Sequence, residues 1–579
     1  MARCRRAGPT GPRLALAGAL LLVLAGVVLL AAIHTRGLGV ADDAFITYRM
    51  AQNLGDGHGM RFNENGPPVE AASTFLLTVM LAGAHVLGLS LIQSSVVIAL
   101  LASGLTLLLL GWCVWRSVGP WGLLAPAALA TMSILASSAT NGLETCLLTF
   151  LLLAAAATHV AAEEGRPRLL PVATALLALV SITRPEGPMY ILALGVLRLL
   201  DVARARAKGR SWRVALAPRS QVAWAAGFVV IYLPYTIWRL AYFGMLLPNT
   251  YHAKELQFIE LSKLHSGVLY LKLMLLQQPA LVLALVLGLA AQAIAPDRRM
   301  RTLLALVLTQ YMFMVLSGGD WPHMFGFGRF LMPAVPLLLW IAAESIARLV
   351  KLRLRLAAGA LLLGLAGLSQ LDLVDAVGME LPVHYHYRAH AAPTLEALRT
   401  AYLHELPHMP RAEWWQRSTQ TLALSRYHNN FDAVVGLWLR QRYGPRVRIA
   451  SIQAGQFAFW SGMPFFDMFG LVSPEVTRQG PARLPSLLRQ FNPRLIAFYK
   501  WSSEVHHHRL ADEGFLQRAG YGLRHVFIRG RSWAFVVFEK GQTGEEDPRE
   551  VLFATMEDLP YRVSRDKLIV ALDTNHPRL

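Results

Sequence analysis

The chain has 579 residues, of which 54% are hydrophobic and 16% are charged, and its mean hydropathy is +0.41. Soluble proteins are nearer ~45–50% apolar and ~25% charged, so the composition excludes an ordinary soluble domain and indicates a polytopic membrane protein. Much of the net charge of +19 lies in short runs between apolar segments. Such runs are typical of topogenic signals and of contacts with anionic lipid, which disfavours a nucleic-acid-binding protein.

Twelve apolar segments predict helices along the first part of the chain. They are residues 14–33, 72–90, 92–112, 120–138, 143–161, 169–183, 187–200, 222–240, 277–295, 301–317, 330–348 and 354–372. The first segment follows an arginine-rich start and is long enough to cross a bilayer. We therefore expect an uncleaved anchor with a cytoplasmic N-terminus.

Two of these segments are too short to span a bilayer alone. Residues 169–183 and 187–200 fall below the ~20 residues that a span needs, and Pro185 stands at the break between them. One broken span at this point gives about eleven crossings and places the C-terminus on the outer side. A different broken segment satisfies the same parity, so the side of the loop at 139–145 stays open.

The composition becomes typical of a soluble protein after residue 373. Residues 390–445 have a helical pattern. Three later stretches are rich in β-branched and aromatic residues, as strands are, at 447–452, 495–499 and 533–539. We predict a transmembrane domain over residues 1–372 and an extracytoplasmic α+β domain over residues 373–579.

An acidic pair, Asp42 and Asp43, follows the first helix on the predicted outer face. Adjacent carboxylates near a bilayer surface are costly, which favours a functional role such as general-base catalysis. The stretch after them mixes Phe45, Tyr48 and Leu54 with polar residues, a pattern typical of a helix in the membrane interface. The alternative is that the pair only caps this helix, as aspartates often do.

The loop that carries the acidic pair resembles a known family. It reads Asp-Asp-Ala-Phe-Ile-Thr-Tyr-Arg over residues 42–49, then Asn-Leu-x-x-Gly-x-Gly over residues 53–59, then a Phe-Asn turn at residues 62–63. This is similar to the first periplasmic loop of polyprenyl-phosphate-sugar-dependent glycosyltransferases of the GT-C superfamily. Within them it most resembles the mycobacterial terminal arabinofuranosyltransferases, which use decaprenyl-phospho-arabinose.

The resemblance implies a GT-C-like membrane domain and an inverting, single-displacement transfer. By this resemblance, Asp42 or Asp43 is the base that deprotonates an acceptor hydroxyl while the phosphate of the lipid donor leaves the anomeric carbon. Adjacent residues face different directions, so the sequence leaves open which of the two is the base.

Three further blocks match the same family in order along the chain. The first is Thr183-Arg184-Pro185-Glu186-Gly187. The resemblance implies that Arg184 binds the donor phosphate and that Glu186 binds sugar. A proline-induced break with an Arg-Glu pair explains this block equally well.

The second block runs from Tyr242-Phe243-Gly244 to Pro248-Asn249-Thr250-Tyr251-His252-Ala253-Lys254 in a predicted outer loop. A histidine and a lysine in this place suit the donor phosphate and its developing charge, and we predict this role for His252 and Lys254. The alternative is a turn whose lysine meets solvent or lipid headgroups.

The third block is Gly318-Gly319-Asp320-Trp321-Pro322-His323, which continues to Arg329. We predict that Asp320 binds sugar hydroxyls, that Trp321 stacks on a sugar face, and that Arg329 binds the donor phosphate. Snorkelling at the membrane surface explains Arg329 equally well.

Two weaker matches complete the resemblance. Asn141-Gly142-Leu143-Glu144-Thr145 suits a capped helix start, and Asp467-Met468-Phe469-Gly470-Leu471 forms a turn to which no role is assigned. Some GT-C enzymes also bind a divalent cation through loop carboxylates, for which Asp42, Asp43 and Asp320 offer oxygen ligands. Nothing in their spacing demands a metal, so no cofactor is assigned.

These features predict a polyprenyl-phosphate-sugar-dependent glycosyltransferase, a hexosyl- or pentosyltransferase, in a bacterial inner membrane. The expected donor is a polyprenyl-phosphate sugar, with arabinofuranose as one candidate. The expected acceptor is an envelope glycan, lipopolysaccharide or protein on the periplasmic side. The alternatives are a lipid-linked oligosaccharide ligase and a glycolipid flippase or transporter. The outer-loop position of the polar blocks disfavours a transporter, whose site lies near the bilayer midplane.

Overall fold

The structure is a computed structural model. It describes Gly18 and residues 40–211, 218–253, 261–320, 328–368, 432–433, 435–499, 516, 518–529, 533–541 and 550–554.

Helices dominate the described chain up to residue 367. They are α1 Asp42–Gly55, α2 Phe75–Val86, α3 Leu91–Val118, α4 Leu124–Thr131, α5 Ser133–Thr140, α6 Thr145–Glu163, α7 Leu170–Thr183, α8 Gly187–Ala207, α9 Pro218–Phe243, α10 Asn249–Ala253, α11 Leu261–Gln277, α12 Pro279–Ile294, α13 Arg298–Leu316, α14 Val335–Leu349 and α15 Arg355–Gly367. Eleven of the twelve apolar segments coincide with these helices. The remaining segment, residues 14–33, lies outside the described residues except for Gly18.

The predicted break between two short segments is present. Helix α7 ends at Thr183 and α8 begins at Gly187. Proline disfavours helical backbone in the residue before it, and Arg184 accordingly has φ −148° and ψ 146°. A Cβ on Gly187 would collide with the backbone of Ser181, so the chain can turn this tightly only with glycine there.

Several helices have the length and composition of membrane spans. Five of the described helices qualify alone, and up to seven spans result if the bent pairs Pro120–Thr131 with Ile134–Thr140 and Lys263–Gln277 with Pro279–Ile294 each count once. Three shorter helices are also apolar. A polytopic helical membrane protein is therefore confirmed, whereas the count of about eleven crossings stays a prediction.

The chain divides into two compact units. The first comprises Met1–Leu38, Ile92–Ala241 and Gln257–Pro393, and the second comprises Gly39–Leu91, Tyr242–Leu256 and Thr394–Leu579. The loop with the acidic pair and the loop with His252 thus belong to the same unit as the C-terminal part. The boundary expected between residues 372 and 373 stays a prediction, because the residues beside it lie outside the described part.

A mixed sheet of six strands forms the second unit together with short helices. These elements are β1 Ile449–Ser451, α16 Gln456–Ser461, β2 Phe465–Asp467, α17 Pro474–Gln479, α18 Leu484–Phe491, β3 Leu495–Tyr499, β4 Tyr521–Arg529, β5 Trp533–Lys540 and β6 Glu550–Ala554. The strand order is β2-β1-β3-β5-β4-β6. Strand β1 is parallel to β2 and β3, β5 is antiparallel to β3 and β4, and β4 is parallel to β6.

The C-terminal α+β prediction is confirmed, with β1, β3 and β5 at the three predicted strand positions. Residues 435–443 are helical as expected, and the predicted helical residues 390–431 lie outside the described part.

The loop with the acidic pair, called the first loop below, packs into the core of this sheet. Ile46, Met50 and Phe62 share one buried cluster with Phe457 and Phe535. Alternate residues of the same strands, such as Phe538, build a second cluster with α17 and α18 on the opposite face, and no described residue of the first loop belongs to it. The sheet therefore has one face covered by its own helices and one face covered partly by the loop.

The stretch after the acidic pair buries its aromatic side chains within the protein, and its position in the membrane interface stays a prediction. Phe45 is 4% exposed and Tyr48 is 0% exposed, and both rings contact Phe459 of α16. Burial of these aromatic rings makes α1 a core helix of the second unit.

Candidate active site

Asp42 is the first residue of α1, and its carboxylate does not cap that helix. Ala41 holds the N-cap position, without a side-chain capping bond. Asp42 Oδ1 instead accepts a hydrogen bond of 2.7 Å from the backbone N–H of Gln456, a residue 414 positions away in the chain. The interpretation of Asp42 as a helix cap is therefore wrong.

The backbone at Gly455 lies against the same carboxylate. A Cβ built on Gly455 would overlap the Asp42 carboxyl carbon and both of its oxygens. The backbone can come this close only because glycine has no side chain. Gly455 and Gln456 together form a backbone cradle for the Asp42 carboxylate.

The surroundings of Asp42 change its acidity. The pKa of this carboxyl is raised to about 7, chiefly by burial and then by the negative charges of Asp432 and Asp43, while the bond from Gln456 opposes the rise. Loss of hydration disfavours the charged form, and a nearby carboxylate does the same. A carboxyl with a pKa close to neutral pH suits a general base.

Arg49 fixes α1 to the C-terminal part of the unit. Its Nη1 donates to the carbonyl of Ala458 at 2.5 Å, its Nη2 to Met463 at 2.7 Å, and its Nε to Phe62 at 2.8 Å. Burial lowers the pKa of Arg49 to about 10, so the guanidinium remains charged at neutral pH. Three backbone carbonyls therefore hold one cation and orient the helix that begins with Asp42.

The Tyr242 block contacts the glycine-rich end of the first loop. Tyr242 Oη accepts a bond of 3.1 Å from the N–H of Met60. A Cβ on Gly59, whose φ is 83°, would meet the same hydroxyl at 2.5 Å. Position 59 therefore requires glycine for two reasons: its φ is in the left-handed region, and the Tyr242 hydroxyl occupies the space that a side chain would need.

Asn249 ties the second motif block to the Asp467 turn. Its Nδ2 donates to the carbonyls of Gly470 at 2.7 Å and Leu471 at 2.8 Å, and its Oδ1 accepts from Thr477 at 2.7 Å. Asn249 is fully buried. Its side chain therefore locks the start of α10, on which His252 is exposed; Lys254 lies outside the described residues.

The side chain of Asp467 stabilises the turn at Asp467–Leu471. Its Oδ1 accepts from the N–H of Phe469 at 2.9 Å and its Oδ2 from the N–H of Val472 at 3.0 Å. Burial nevertheless raises the pKa of Asp467 to about 6. The carboxylate folds the turn back on itself and thereby presents the carbonyls that Asn249 binds.

In the first unit, Arg184 lies between two carboxylates. Its Nη1 contacts Glu144 Oε1 and its Nε contacts Glu186 Oε1, both at 2.5 Å, and all three side chains are buried. The weak block at Asn141–Thr145 thus contributes Glu144 to the same ion cluster. The Arg-Glu pair that the sequence offered as an alternative is present.

Asp320 and Arg329 form a second buried ion pair in the first unit. Arg329 Nε lies 2.5 Å from Asp320 Oδ2. The ring of Phe330 then links the two pairs, because the guanidinium of Arg184 is 5.0 Å and that of Arg329 is 5.6 Å from its centroid. Both are within the range of cation–π contacts.

The predicted site residues therefore fall into two groups. Arg184, Glu186, Asp320 and Arg329 gather around Phe330 in the first unit, whereas Asp42, Asp43 and His252 belong to the second. Trp321 and Lys254 lie outside the described residues. Within the described part, no three histidine, cysteine or acidic side chains are grouped to hold a metal ion.

Sequence reasoning missed three residues around Asp42, namely Asp432, Gly455 and Gln456. Nothing in the local pattern of residues 432–456 points to Asp42, because the contacts join parts of the chain about four hundred positions apart. For Glu144 a signal existed in the weak family match.

The fold of the chain is similar to that of ArnT from Cupriavidus metallidurans. Against ArnT bound to undecaprenyl phosphate, the TM-score is 0.58 at 14% identity, over 92% of this chain and 98% of ArnT. Against ArnT in the apo state it is 0.55 at 15% identity, over 90% and 98%. The archaeal oligosaccharyltransferase AglB from Archaeoglobus fulgidus, in complex with an inhibitory peptide and a dolichol-phosphate, has a TM-score of 0.45 at 11% identity, over 90% of this chain and 74% of AglB.

Sequence relatives add little to this. Residues 420–543 match a family described as a domain of unknown function, DUF8728. No curated protein matches the chain in sequence. The similarity to ArnT nevertheless extends over nearly the whole of both chains, so this protein has the GT-C fold and is a multi-pass membrane protein.

Proposed function

We propose that this protein is a membrane glycosyltransferase that moves one sugar from a polyprenyl monophosphate to an acceptor hydroxyl with inversion. The observation that carries the proposal is Asp42, a carboxyl with a pKa of about 7 held by a backbone cradle in a chain with the GT-C fold. ArnT, which shares the fold, binds undecaprenyl phosphate in one of its structures. That supports a polyprenyl phosphate as the lipid of the donor.

In the proposed reaction Asp42 is the base. It takes the proton of the acceptor hydroxyl while that oxygen bonds to the anomeric carbon. The bond from the anomeric carbon to the phosphate oxygen breaks at the same time, and its electron pair leaves with the polyprenyl monophosphate. Asp42 is favoured over Asp43 because the cradle holds the Asp42 carboxylate in place and burial raises its proton affinity into the useful range.

In this proposal the guanidinium groups of Arg184 and Arg329, beside Phe330, hydrogen-bond the donor phosphate. Glu144, Glu186 and Asp320 fix the planes of these groups, so that the donors need no reorganisation when charge develops on the phosphate. From the second motif block we also propose that His252 and Lys254 bind the donor phosphate.

The sugar site and the cellular setting are also part of the proposal. Asp320, Trp321 and Glu186 contact sugar hydroxyls or a sugar face. Arabinofuranose is the first sugar to test, given the resemblance of residues 42–63 to arabinofuranosyltransferases. The acceptor is an envelope glycan, lipopolysaccharide or protein on the periplasmic side of a bacterial inner membrane, with the N-terminus in the cytoplasm.

Radiolabel transfer in membranes tests the proposal directly. The donors are synthetic polyprenyl-phospho-arabinose and polyprenyl-phospho-hexoses, and the proteins are the wild type, Asp42→Asn and Asp43→Asn. We expect transfer from at least one donor and a loss of about 10²-fold or more in Asp42→Asn, the usual scale for removing a general base. Asp43→Asn serves as the neighbouring control and should lose less.

The outcomes separate the alternatives. No transfer from any monophosphate donor by intact protein, together with transfer from a diphosphate-linked oligosaccharide, would make it a ligase. Full transfer by Asp42→Asn would remove Asp42 as the base.

A further inference from the structure

The cradle around Asp42 comes entirely from the C-terminal part of the chain. The N–H of Gln456 binds one carboxylate oxygen at 2.7 Å, and the backbone of Gly455 occupies the space beside the carboxyl carbon. The backbone of Gly455 and Gln456 limits the positions that the Asp42 carboxylate can take. The direction from which the carboxylate can accept a proton is therefore fixed.

A charge from the same part of the chain acts on the carboxylate as well. Asp432 is the larger of the two carboxylate influences on Asp42, and Asp43 on the same helix is the smaller. Among the described residues, these two acids and the Gln456 N–H are the groups that affect the protonation of Asp42 besides its burial.

The cradle is rigidly connected to α1. Arg49, two turns after Asp42, binds the carbonyls of Ala458 and Met463 on either side of the end of α16. Phe45, one turn after Asp42, packs on Phe459 with ring centroids 5.4 Å apart. Helix α16 thus meets α1 at its charged start and along its apolar side, so a shift of Gly455 relative to Asp42 would disturb several contacts at once.

We propose that Gly455 is a positioning residue for the catalytic carboxylate, so that the C-terminal part of the chain completes the base that the first loop carries. The backbone of Gly455 fixes where the Asp42 carboxylate lies. The inference rests on the proposed function, in which Asp42 is that base. It assigns the C-terminal part a role in the chemical step itself.

Two variants, Gly455→Ala and Asp432→Asn, test this inference, and a third serves as the control for Gly455→Ala. Gly455→Ala places a methyl group where the carboxylate lies. Gly436→Ala is the matched control, because its methyl would meet Phe457 O at 2.7 Å and Ser461 N at 3.0 Å, which strains the same helix α16 without a contact to the Asp42 carboxylate. Asp432→Asn removes one charge at constant size and guards against a Gly455→Ala protein that does not fold.

The protonation of Asp42 can be measured without any substrate. A hydrophobic carbodiimide adds to a protonated carboxyl group and not to a carboxylate, so the labelling of Asp42 at each pH reports its protonated fraction. Mass spectrometry of the full-length protein, digested after labelling in membranes, separates Asp42 from Asp43 by fragment ions. Turnover with the radiolabelled donor is measured over the same pH range.

We expect half-labelling of Asp42 near pH 7 in the wild type. In Asp432→Asn the midpoint and the acidic limb of turnover should move together to lower pH by about half a unit or more, since one repelling charge is gone. Gly455→Ala should shift the labelling curve and lower turnover by about tenfold or more, as expected for a displaced catalytic group. Gly436→Ala should keep the wild-type labelling curve.

Identical labelling curves in all four proteins would overturn the inference. So would a turnover in Gly455→Ala no lower than in Gly436→Ala, even with the role of Asp42 intact. The proposed function fails separately, through full transfer by Asp42→Asn, whatever the labelling curves are.

Discussion

The ionised form of Asp42 destabilises the folded protein, because the surroundings of the carboxyl disfavour its negative charge. Its pKa in the folded protein is raised from the ordinary 3.8 to about 7. Between these two values the unfolded chain has released the proton and the folded chain has not, so the folded state loses stability as the pH rises through this window. Above pH 7 the loss is complete and constant.

Asp42→Asn should therefore be more stable than the wild type at pH 8, although we expect it to lose most of its turnover. Asparagine keeps the size and an oxygen for the Gln456 N–H but carries no charge. We expect a gain on the order of 1 kcal/mol, reduced from the full shift because the group is only half-buried. Thermal unfolding in detergent measures it, and the gain should shrink as the pH is lowered from 7 towards 4. A variant less stable than the wild type at pH 8 would contradict the raised pKa.

Arg184, unlike Asp42, carries a charge that stabilises the folded protein, because it neutralises two buried carboxylates. Arg184→Gln would leave the Glu144 and Glu186 carboxylates buried without their cation. We expect a loss of about 3–5 kcal/mol, as for a broken buried ion pair. Arg198→Gln is the control, since Arg198 bonds to the neutral Gln221 and Ser220 and its loss should cost about 1 kcal/mol or less. Equal unfolding temperatures for the two variants would show that the Arg184 cluster adds little to stability.

Single residues were predictable from the sequence where a motif carries them. Asp42, Arg184, Asp320 and Arg329 were all chosen from local blocks, and the last three do lie around one ring, that of Phe330. What the blocks could not predict is the partner of each group. The partner of Arg329 is nine residues away, but Gln456 is 414 residues from Asp42, and no local pattern encodes such a contact.

At the scale of elements, the turn at Asp467–Leu471 acquires a role. It presents two carbonyls to Asn249 and so fixes the start of α10, the helix with His252. Asn249→Ala would leave both buried carbonyls without this donor, which costs about 1–3 kcal/mol locally. We expect faster hydrogen exchange over residues 248–253 and a higher KM for the lipid donor, with a smaller change in kcat.

Hydrogen exchange followed by mass spectrometry measures the first effect without a substrate. Asn141→Ala is the control, because Asn141 binds the N–H of Leu143 in the first unit and should leave residues 248–253 unchanged. Unchanged exchange at 248–253 in Asn249→Ala would mean that the segment is held by its other contacts.

Helices and strands were predictable from the sequence where their residues follow a clear hydrophobic or compositional pattern. Long apolar runs specify helices, and eleven of the predicted segments are helices. Strands β1, β3 and β5 were found by their β-branched and aromatic residues. Strands β2, β4 and β6 were missed. Strand β2 has three residues, and β4 contains Gly522, Arg524 and His525, so only pairing with neighbouring strands makes them strands.

At the scale of the whole molecule, the order of motifs along the chain differs from their grouping in space. Composition divides the sequence near residue 373, because apolar spans end there. The compact second unit instead combines Gly39–Leu91 and Tyr242–Leu256 with the C-terminal part. The sequence could not show this, since the loop residues Ile46, Met50 and Phe62 enter a shared core through contacts of long sequence separation.

A shared core implies that the first loop and the C-terminal sheet unfold together. Phe535 and Phe538 lie on one strand, but Phe535 belongs to the cluster that contains α1 residues and Phe538 belongs to the opposite cluster. Each Phe→Ala change should cost about 3–5 kcal/mol. If the core couples the two parts, Phe535→Ala should accelerate hydrogen exchange over residues 42–55 more than Phe538→Ala does at a similar loss of stability. Equal acceleration by the two variants would mean that α1 responds to the stability of the sheet as a whole, and no acceleration by either would mean that α1 keeps its structure without the sheet.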